Sequence, residues 1–398
     1  MRFTYNLIAL GLGFCFIGLL FAPTAPAFIE REYTIREVLD ACTNIVFGEV
    51  KSVDQKRLRG VVTVKKDVKG KSELKEIKMN FATGHYKRGT SPEKMVRLLK
   101  AGMPIIVFYR EHYGIDSMCF IDNTWFQMRA YRGGYSGAWW TFTHIDPMMS
   151  RTFDGKTKAF QAIVLDMLAG KMWVAAPKDA IKVLVLTGNS TDTTWSQSPV
   201  YTNTATYEYM ALRAVKKVGK RALVHESTRA HALPQLEKAD ILWIGYEEIS
   251  SYGHYLLSSE VEKKIKAFVK KGGIVVVTGQ DSSAEKPCGI GWLQGKLKGV
   301  ESPPTQHFAV TEKGTSLFST PNKIESGKIL VDDAWVDWHR RDEIFATTED
   351  TQELVVGARR YGKGLYIITS LRNDSQYTTS LNKALMENII HYAVSQLK

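Results

Sequence analysis

The chain has 398 residues, of which 44% are hydrophobic and 11% are aromatic. This is a globular composition with enough apolar material for two or three packed domains, and it excludes a low-complexity or repeat protein. The 53 basic and 41 acidic residues give a formal net charge of +12.

The first 27 residues have the pattern of a secretory signal peptide. Arg2 supplies a positive charge, residues 7–21 are almost continuously apolar, and Ala25 and Ala27 place small residues at a cleavage site. The apolar run is short for a membrane span, and no stop-transfer charges follow it. We therefore expect a secreted or periplasmic protein with no stable membrane span after signal removal. A retained N-terminal anchor is the alternative.

Three cysteines remain beyond this segment: Cys42, Cys119 and Cys288. In an oxidising compartment they allow at most one internal bridge. Cys42 and Cys119 lie in the same half of the chain and are the possible pair. Two buried, unpaired thiols are an equal alternative.

Positive charge is concentrated between residues 51 and 100, where fifteen basic residues stand against five acidic ones. Such a segment is a possible contact for a polyanion. Its lysines also fit the polar faces and turns of short strands, and we favour that interpretation. Export argues against nucleic acid as a partner.

Residues 28–176 predict a β-rich domain closed by an amphipathic helix at 155–169. The predicted strands are 44–50, 60–64, 74–79, 105–109 and 118–121. Further helices are predicted at 35–41 and 93–100. Five or six short strands with one intervening helix indicate a small barrel, OB-like in outline.

Aromatic residues crowd the end of this domain around a Gly133-Gly134 turn. They are Trp125, Phe126, Tyr131, Tyr135, Trp139, Trp140 and Phe142. Aromatic platforms stack on sugars and bases, but a cross-strand aromatic ladder in an ordinary hairpin gives the same sequence. We favour the ladder.

Residues 177–398 alternate between apolar strands and helices. The predicted strands are 181–186, 221–225, 241–245 and 274–278, and the predicted helices are 206–218, 259–271 and 381–393. Ser258 is expected to cap the second helix, and Gly272 to end it. Continuous apolar strands between helices indicate a parallel sheet covered on both faces.

Four stretches of this second half resemble the trehalose-utilisation (ThuA-like) branch of the class I glutamine-amidotransferase-like superfamily. They are 239–244 (ADILWI), 257–276, 306–311 (QHFAVT) and 360–371. The resemblance implies a flavodoxin-like open parallel sheet with helices on both faces. It also implies a site at the carboxyl ends of the strands.

The chain departs from that superfamily at its catalytic cysteine. Amidotransferase members place this residue on the sharp turn after the strand that matches 274–278. Here the turn reads Gly-Gln-Asp-Ser-Ser over 279–283, and Cys288 lies beyond it. A reactive thiolate needs an electropositive turn or a paired histidine, and the local sequence supplies neither. We therefore expect no glutamine-amidotransferase activity.

Polar side chains follow four successive strands of the predicted sheet. Ligands in open α/β sheets sit beyond the carboxyl ends of the strands, and burying such groups without partners is costly. They therefore face a cleft or cap helices. The predicted ligand-binding residues are Asn189, Ser190, Glu248, Gln280, Asn373 and Asp374.

If the protein is an enzyme, Asp281 and Glu247 are the best general acid–base pair, and His307, in the matched 306–311 segment, is the best histidine. No spacing typical of a metal site occurs, and we expect no cofactor. A polar and aromatic loop containing Asp332, Asp333, Trp335 and His339 is a candidate cover for the cleft.

The sequence leaves three functions open. We favour an exported two-domain protein whose α/β domain binds a small polar ligand or carbohydrate without catalysis. The second is a carbohydrate-active enzyme that uses the strand-end carboxylates. The third is a non-catalytic cell-envelope module, in which the basic first domain binds a polyanion.

Overall fold

The protein is described here by a computed structural model. It covers residues 33–82, 92–111, 114–131, 139–174, 176–187, 205–251, 254–282, 287–293, 297–337 and 342–397. The predicted signal segment, Tyr135, Asn189, Ser190 and His339 lie outside the described residues. The chain divides into two compact units, of which the first ends at Val164 and the second begins at Leu165.

The first unit is built on a closed barrel of seven strands. They are β1 Asn44–Asp54, β2 Arg59–Lys69, β3 Glu76–Asn80, β4 Pro104–Glu111, β5 Gly114–Ile121, β6 Thr124–Tyr131 and β7 Trp139–Ile145. The strand order is β1-β2-β3-β7-β6-β5-β4, and β4 pairs with β1 to close the barrel. Neighbouring strands are antiparallel except β3 and β7, which are parallel.

The predicted barrel is therefore confirmed, but its OB-like outline is not supported. An OB barrel has five strands, whereas the aromatic segment adds β6 and β7 to this one. Trp125, Phe126, Trp140 and Phe142 are all buried. They are core residues, but they do not form the predicted cross-strand ladder, because Phe126 faces Ile145 and Phe142 faces Met128.

In the described residues of this unit, three α-helices accompany the barrel: α1 Ile35–Ala41, α2 Pro92–Leu98 and α3 Thr157–Leu168. Phe160 of α3 packs edge-on against Trp125, with ring centroids 5.4 Å apart. The two described cysteines of this unit are unpaired: Cys42 is half-buried and Cys119 is buried. The bridge between them is therefore absent.

The second unit contains thirteen described strands. They are β8 Ile181–Leu186, β9 Lys217–Val218, β10 Arg221–Thr228, β11 Ile241–Ile244, β12 Ser250–Ser251, β13 His254–Tyr255, β14 Ile274–Val277, β15 Lys298–Val300, β16 Phe308–Val310, β17 Ala334–Val336, β18 Glu343–Thr348, β19 Leu354–Tyr361 and β20 Gly364–Thr369. Five of them lie side by side as parallel neighbours in the order β10-β8-β11-β14-β20. β19 continues the sheet antiparallel to β20 and leads to β15–β18.

Helices cover both faces of the parallel strands, as predicted. They are α4 Ala205–Leu212, α5 Ser259–Lys271 and α6 Gln376–Gln396. Successive strand residues point to opposite faces. Val183 accordingly shares a core with Leu385 of α6, and Leu184 shares the opposite core with Ile265 of α5. No helix in the described part of the chain is both long and apolar enough to cross a membrane.

The helix ends follow local signals. The side chain of Ser258 accepts a hydrogen bond from the Val261 amide and caps α5, and Gly272 ends that helix at φ +122°, so both predictions are confirmed. The helix predicted over 206–218 was too long. It stops at Leu212 because Lys217 and Val218 form a hairpin with β10 across Gly219, which has φ +58°.

Candidate functional site

The carboxyl ends of the parallel strands are joined by backbone hydrogen bonds. The Glu247 amide, after β11, donates to the Gly279 carbonyl, after β14, at 3.1 Å. The Gly279 amide donates to the Leu371 carbonyl, after β20, at 3.0 Å. The Asp332 amide donates to the Ser370 carbonyl at 2.9 Å. These bonds bring four chain segments to one edge of the sheet, and we call this region the strand-end site.

Gly279 permits this close approach. A Cβ atom built there would lie 2.7 Å from the Leu371 carbonyl oxygen and 3.2 Å from the Tyr246 ring. Real side chains do not reach 2.7 Å without displacing backbone, so the two turns require glycine at this position.

Glu247 is a perturbed carboxylate of the site. Its backbone is left-handed, with φ +60°, a conformation that costs energy in a non-glycine residue and is common at functional sites. Ser251 Oγ donates to Glu247 Oε2 at 3.1 Å. Burial raises the pKa of Glu247 to about 7 although the Ser251 hydrogen bond lowers it, and the charge of Asp281 raises it further.

The structure therefore brings the predicted acid–base pair together. Asp281 is partly exposed, and its amide donates to the Ser250 carbonyl at 3.2 Å. Its negative charge acts on both Glu247 and Asp333. A carboxyl with a raised pKa close to a second carboxylate is an arrangement that general acid–base chemistry uses.

Asp333 lies at the site but holds backbone in place. Its carboxylate accepts hydrogen bonds from the amides of Ser282, at 3.0 Å, and Ser302, at 3.4 Å. Burial raises its pKa to about 7 even so. Like Glu247 it has a left-handed backbone, with φ +48°. The sequence placed Asp333 in a covering loop, whereas the structure places it beside the strand ends.

Among the described residues, Arg372 brings positive charge to the site. It lies between two carboxylates, with Nη1 2.9 Å from Asp332 Oδ2 and Nη2 2.5 Å from Asp374 Oδ2. Asp374 was predicted as a ligand-binding residue, and Arg372 was missed. The sequence signal was the Arg-Asn-Asp run directly after β20, in which only the acidic and amide members were considered.

Three predicted site residues are buried and have internal partners instead. Gln280 is buried, accepts from the amides of Ile249 and Ser250, and donates to the carbonyls of Gly245 and Thr278. Asn373 is fully buried and donates to Glu208. Glu248 is fully buried, and its Oε2 lies 3.1 Å from His231 Nε2. In this structure these three side chains hold the turns together.

A network of buried hydrogen bonds stabilises the chain segments that carry the site. The Glu208 carboxylate accepts from Trp243 Nε1 at 3.2 Å, from the Tyr246 amide at 3.1 Å, and from Asn373 Nδ2. Asn382 Nδ2 in turn donates to Asn373 Oδ1 at 2.9 Å. Burial raises the pKa of Glu208 to about 7. Glu208 was not predicted from the sequence, because an acidic residue in a short helix is usually solvated.

The remaining predicted residues are placed elsewhere. His307 is exposed and precedes β16, in the antiparallel part of the sheet, where its amide donates to Thr305 Oγ1. Trp335 is buried in β17 and donates to the Thr369 carbonyl at 3.0 Å, so it belongs to the core rather than to a cover. Cys288 is buried, which raises the pKa of its thiol to about 12.

A small, open recess of about 10 Å³ lies beside Asp332 and Asp333. Its polar lining includes Ser302, Glu353 and Ser370. Much of this lining is already hydrogen-bonded, since Ser302 Oγ donates to Glu353 Oε2 at 3.0 Å. Within the described residues, no group of three or more histidine, cysteine or acidic side chains is arranged to hold a metal ion.

Comparisons with known proteins give only distant similarities. No protein-family model matches the chain, and neither does any curated protein sequence. A solved ThuA-like protein from Bacteroides uniformis is 10% identical, with a TM-score of 0.36 over 57% of this chain and 97% of that one. The resemblance to ThuA-like proteins is thus a weak link at the level of the fold.

Two other solved structures are carbohydrate enzymes. A β-galactosidase from Rahnella sp. R3 is 19% identical, with a TM-score of 0.33 over 61% of this chain and 36% of that one. The carbohydrate deacetylase Agd3 is 12% identical, with a TM-score of 0.36 over 54% of this chain and 32% of that one. The chain spans about a third of either enzyme. Similarities this low carry no activity to the present protein.

Proposed function

We propose that the strand-end site binds a small polar ligand rich in hydroxyl groups, with carbohydrate as the favoured class, and that it has no glutaminase activity. One observation carries this proposal: Glu247, Asp281, Asp374 and Arg372 meet at one edge of a parallel sheet. Carboxylates accept hydrogen bonds from hydroxyl groups, and a guanidinium donates them.

The position of the site supports the same proposal. The five parallel strands lie in the order β10-β8-β11-β14-β20. If they are counted from 1 to 5 along the chain, this order is 2-1-3-4-5. This order is typical of a flavodoxin-like sheet, in which ligands bind beyond the carboxyl ends of the strands. We infer that the second unit belongs to that type.

The absence of glutaminase chemistry is inferred from the turn after β14. Residues 279–283 contain no cysteine. The raised pKa of Cys288 keeps its thiol protonated at neutral pH, and a thiol is a much poorer nucleophile than a thiolate.

A second candidate function is acid–base catalysis on a carbohydrate. The raised pKa of Glu247, beside the negative charge of Asp281, favours it. A carboxyl with a pKa near neutrality can donate a proton to a leaving group, and a second carboxylate nearby can accept one. His307 has no role in this candidate function.

Export remains a proposal based on the N-terminal sequence, and so does a polyanion contact at the basic segment 51–100. In the barrel, Lys65, Lys66, Lys71 and Lys75 are exposed. Lys51 instead pairs with Glu76 at 2.6 Å.

The test is a thermal-shift and calorimetric screen of the full chain against neutral hexoses and uronic acids. A ligand at about 100 times its Kd stabilises the folded state by roughly 2.7 kcal/mol. We expect stabilisation by at least one sugar, and its loss in Glu247→Gln and Asp281→Asn. The matched controls are Glu237→Gln and Asp179→Asn, exposed residues that precede β11 and β8 at the opposite edge of the sheet.

No stabilisation by any sugar, or equal stabilisation of all five proteins, would contradict the proposal. Aryl glycosides of the sugars that bind then separate the two candidates. Binding without release of the aryl group supports the binding protein. Turnover that disappears in Glu247→Gln supports the enzyme.

A further inference from the structure

A histidine and a glutamate meet across the end of a central strand of the parallel sheet. His231 lies in the turn after β10 and Glu248 in the turn after β11, and His231 Nε2 is 3.1 Å from Glu248 Oε2. Because β8 lies between β10 and β11, this contact spans the carboxyl end of β8. We call the two residues the switch-point pair, since the strand order reverses between β8 and β11 and ligands of such sheets bind at that point.

Glu248 is the buried member of the switch-point pair. None of its side chain is exposed, whereas 27% of the His231 side chain is exposed. The turn of Glu248 is fixed by Gln280, which accepts from the Ile249 amide at 2.6 Å and donates to the Gly245 carbonyl at 3.1 Å. Burying a carboxylate is costly even when it has partners, and a carboxylate that orients a histidine is a recurring feature of sites that transfer protons.

The turn that carries His231 is also held in place. Leu233 is fully buried, and its amide donates to the Ala230 carbonyl at 2.9 Å. Lys264 Nζ, on α5, donates to the carbonyls of Ala232, at 3.0 Å, and of Leu233. The backbone on both sides of the imidazole is therefore fixed, which is the preorganisation that a functional side chain requires.

The carboxylate of Glu248 determines which ring nitrogen of His231 can accept a proton. Nε2 is buried and faces this carboxylate, so the hydrogen of a neutral imidazole belongs on Nε2. This N–H is not aligned with the carboxylate oxygen as a hydrogen bond requires, and catalytic hydrogen bonds are often poorly aligned before the substrate binds. The lone pair is then on Nδ1, which is accessible to solvent and makes no hydrogen bond to a described residue.

We propose that His231 is a general base for the hydrolysis of a small acyl ester, and that Glu248 is its positioning residue. A water oxygen attacks the carbonyl carbon of the ester while Nδ1 takes a proton from that water. The tetrahedral intermediate then breaks its bond to the alcohol oxygen, which takes the proton back from the imidazolium. The products are a carboxylic acid and an alcohol, and the imidazole is neutral again.

An ester suits a site with one positioned imidazole. The leaving oxygen needs only the proton that the imidazole has already taken from water, so one group serves as base and then as acid. This activity goes beyond the proposed binding of a sugar. It uses neither Glu247 nor Asp281, so either proposal can fail without the other.

The test measures the hydrolysis of p-nitrophenyl acetate by the full chain, as the release of p-nitrophenolate. General acid–base catalysis typically contributes 10²–10⁴-fold to a rate, so His231→Gln should lower kcat by at least about 100-fold with little change in KM. The matched control is His307→Gln, at an exposed histidine before β16, which should keep both constants. Circular dichroism checks that each variant is folded.

The role of Glu248 has its own readout. The ¹⁵N chemical shifts of a histidine ring report which nitrogen carries the proton. In the wild type His231 should carry it on Nε2, and Glu248→Gln should weaken that preference and lower kcat by at least about tenfold. A carboxylate that only holds its turn in place would leave the ring tautomer unchanged.

Chemical modification of the wild type tests the same claim without a variant. Diethyl pyrocarbonate acylates the lone pair of an accessible, neutral imidazole, and mass spectrometry identifies the modified residue. The loss of hydrolysis should follow the modification of His231 and not that of His307.

The outcomes separate this proposal from the binding function. Hydrolysis no faster than the uncatalysed reaction would overturn the ester activity and leave sugar binding standing. Equal kcat in the wild type and His231→Gln, or activity that survives the modification of His231, would also overturn it. Failure of every sugar to bind, with hydrolysis intact, would contradict the strand-end site alone.

Discussion

Replacing Glu208 with glutamine should change the pH dependence of stability in a way that can be calculated from the structure. Burial raises the pKa of this carboxyl from 4.5 to about 7, a difference of about 2.5. At about 1.4 kcal/mol per pKa unit, this corresponds to roughly 3 kcal/mol of folding free energy linked to one proton.

The sign follows from which state keeps the proton. Below pH 4.5 the carboxyl is protonated in both the folded and the unfolded chain. Between pH 4.5 and 7 the unfolded chain ionises while the folded protein keeps its proton, so stability falls as pH rises. Above pH 7 both states are ionised and the effect levels off. Glutamine does not titrate, so Glu208→Gln removes this decline.

The assay is urea unfolding of the wild type and Glu208→Gln at half-unit steps from pH 4.5 to 8. Glu247 and Asp333 also have raised pKa values, so the informative quantity is the difference between the two proteins at each pH. The wild type should lose about 3 kcal/mol relative to the variant across this range. A difference that stays constant would refute the assignment of a buried, protonated Glu208.

Three further predictions concern packing and cysteine chemistry. Gly279→Ala should lower the free energy of unfolding by about 1–3 kcal/mol and weaken sugar binding, because its Cβ would lie 2.7 Å from the Leu371 oxygen. The control is Gly291→Ala, which has open space at its Cβ. In the same denaturation assay its free energy of unfolding should stay within about 0.5 kcal/mol of the wild type. Trp125→Ala should lower the free energy of unfolding by about 3–5 kcal/mol, as measured by calorimetry. The reason is that the ring is buried and its Nε1 donates to the Phe153 carbonyl at 2.9 Å. Trp139→Ala should lower it much less, because the Trp139 ring is half-buried beneath Arg59. A reducing agent should leave the melting temperature unchanged, since the three described cysteines are unpaired; a drop would indicate a disulfide.

The sequence predicted the parallel part of the second unit well. The strands Ile181–Leu186, Ile241–Ile244 and Ile274–Val277 were found within one residue of their observed ends. They are buried on both faces and therefore read as uninterrupted apolar runs. Ser258 and Gly272 marked the ends of α5 because capping depends on local residues alone.

The antiparallel extension of that sheet was harder to predict. The strands Lys298–Val300 and Ala334–Val336 are three residues long and are paired with each other across a long stretch of chain. Strands this short carry no usable hydrophobic period, and only tertiary pairing defines them. The same limit applied to the barrel, in which the aromatic segment was predicted as a hairpin but not as two of its seven strands.

At the site, the prediction from sequence included the carboxylates Glu247 and Asp281 but not the residues that hold the surrounding turns in place. Glu247 and Asp281 follow apolar strands directly, so their place at the sheet edge could be predicted. Gln280 has the same position in the sequence, yet its side chain turns inward to hold two loops together. The direction in which a turn residue points depends on the neighbouring turn, and a single sequence does not contain that information.

The strand-end carboxylates are proposed to form a ligand site, and the most direct test is a crystal structure of the full chain soaked with a saturating concentration of the sugar that stabilises it most. The expected result is electron density for the sugar against Glu247 and Asp281. Density only at other surfaces, such as the basic face of the barrel, or no bound sugar at saturating concentration, would contradict it.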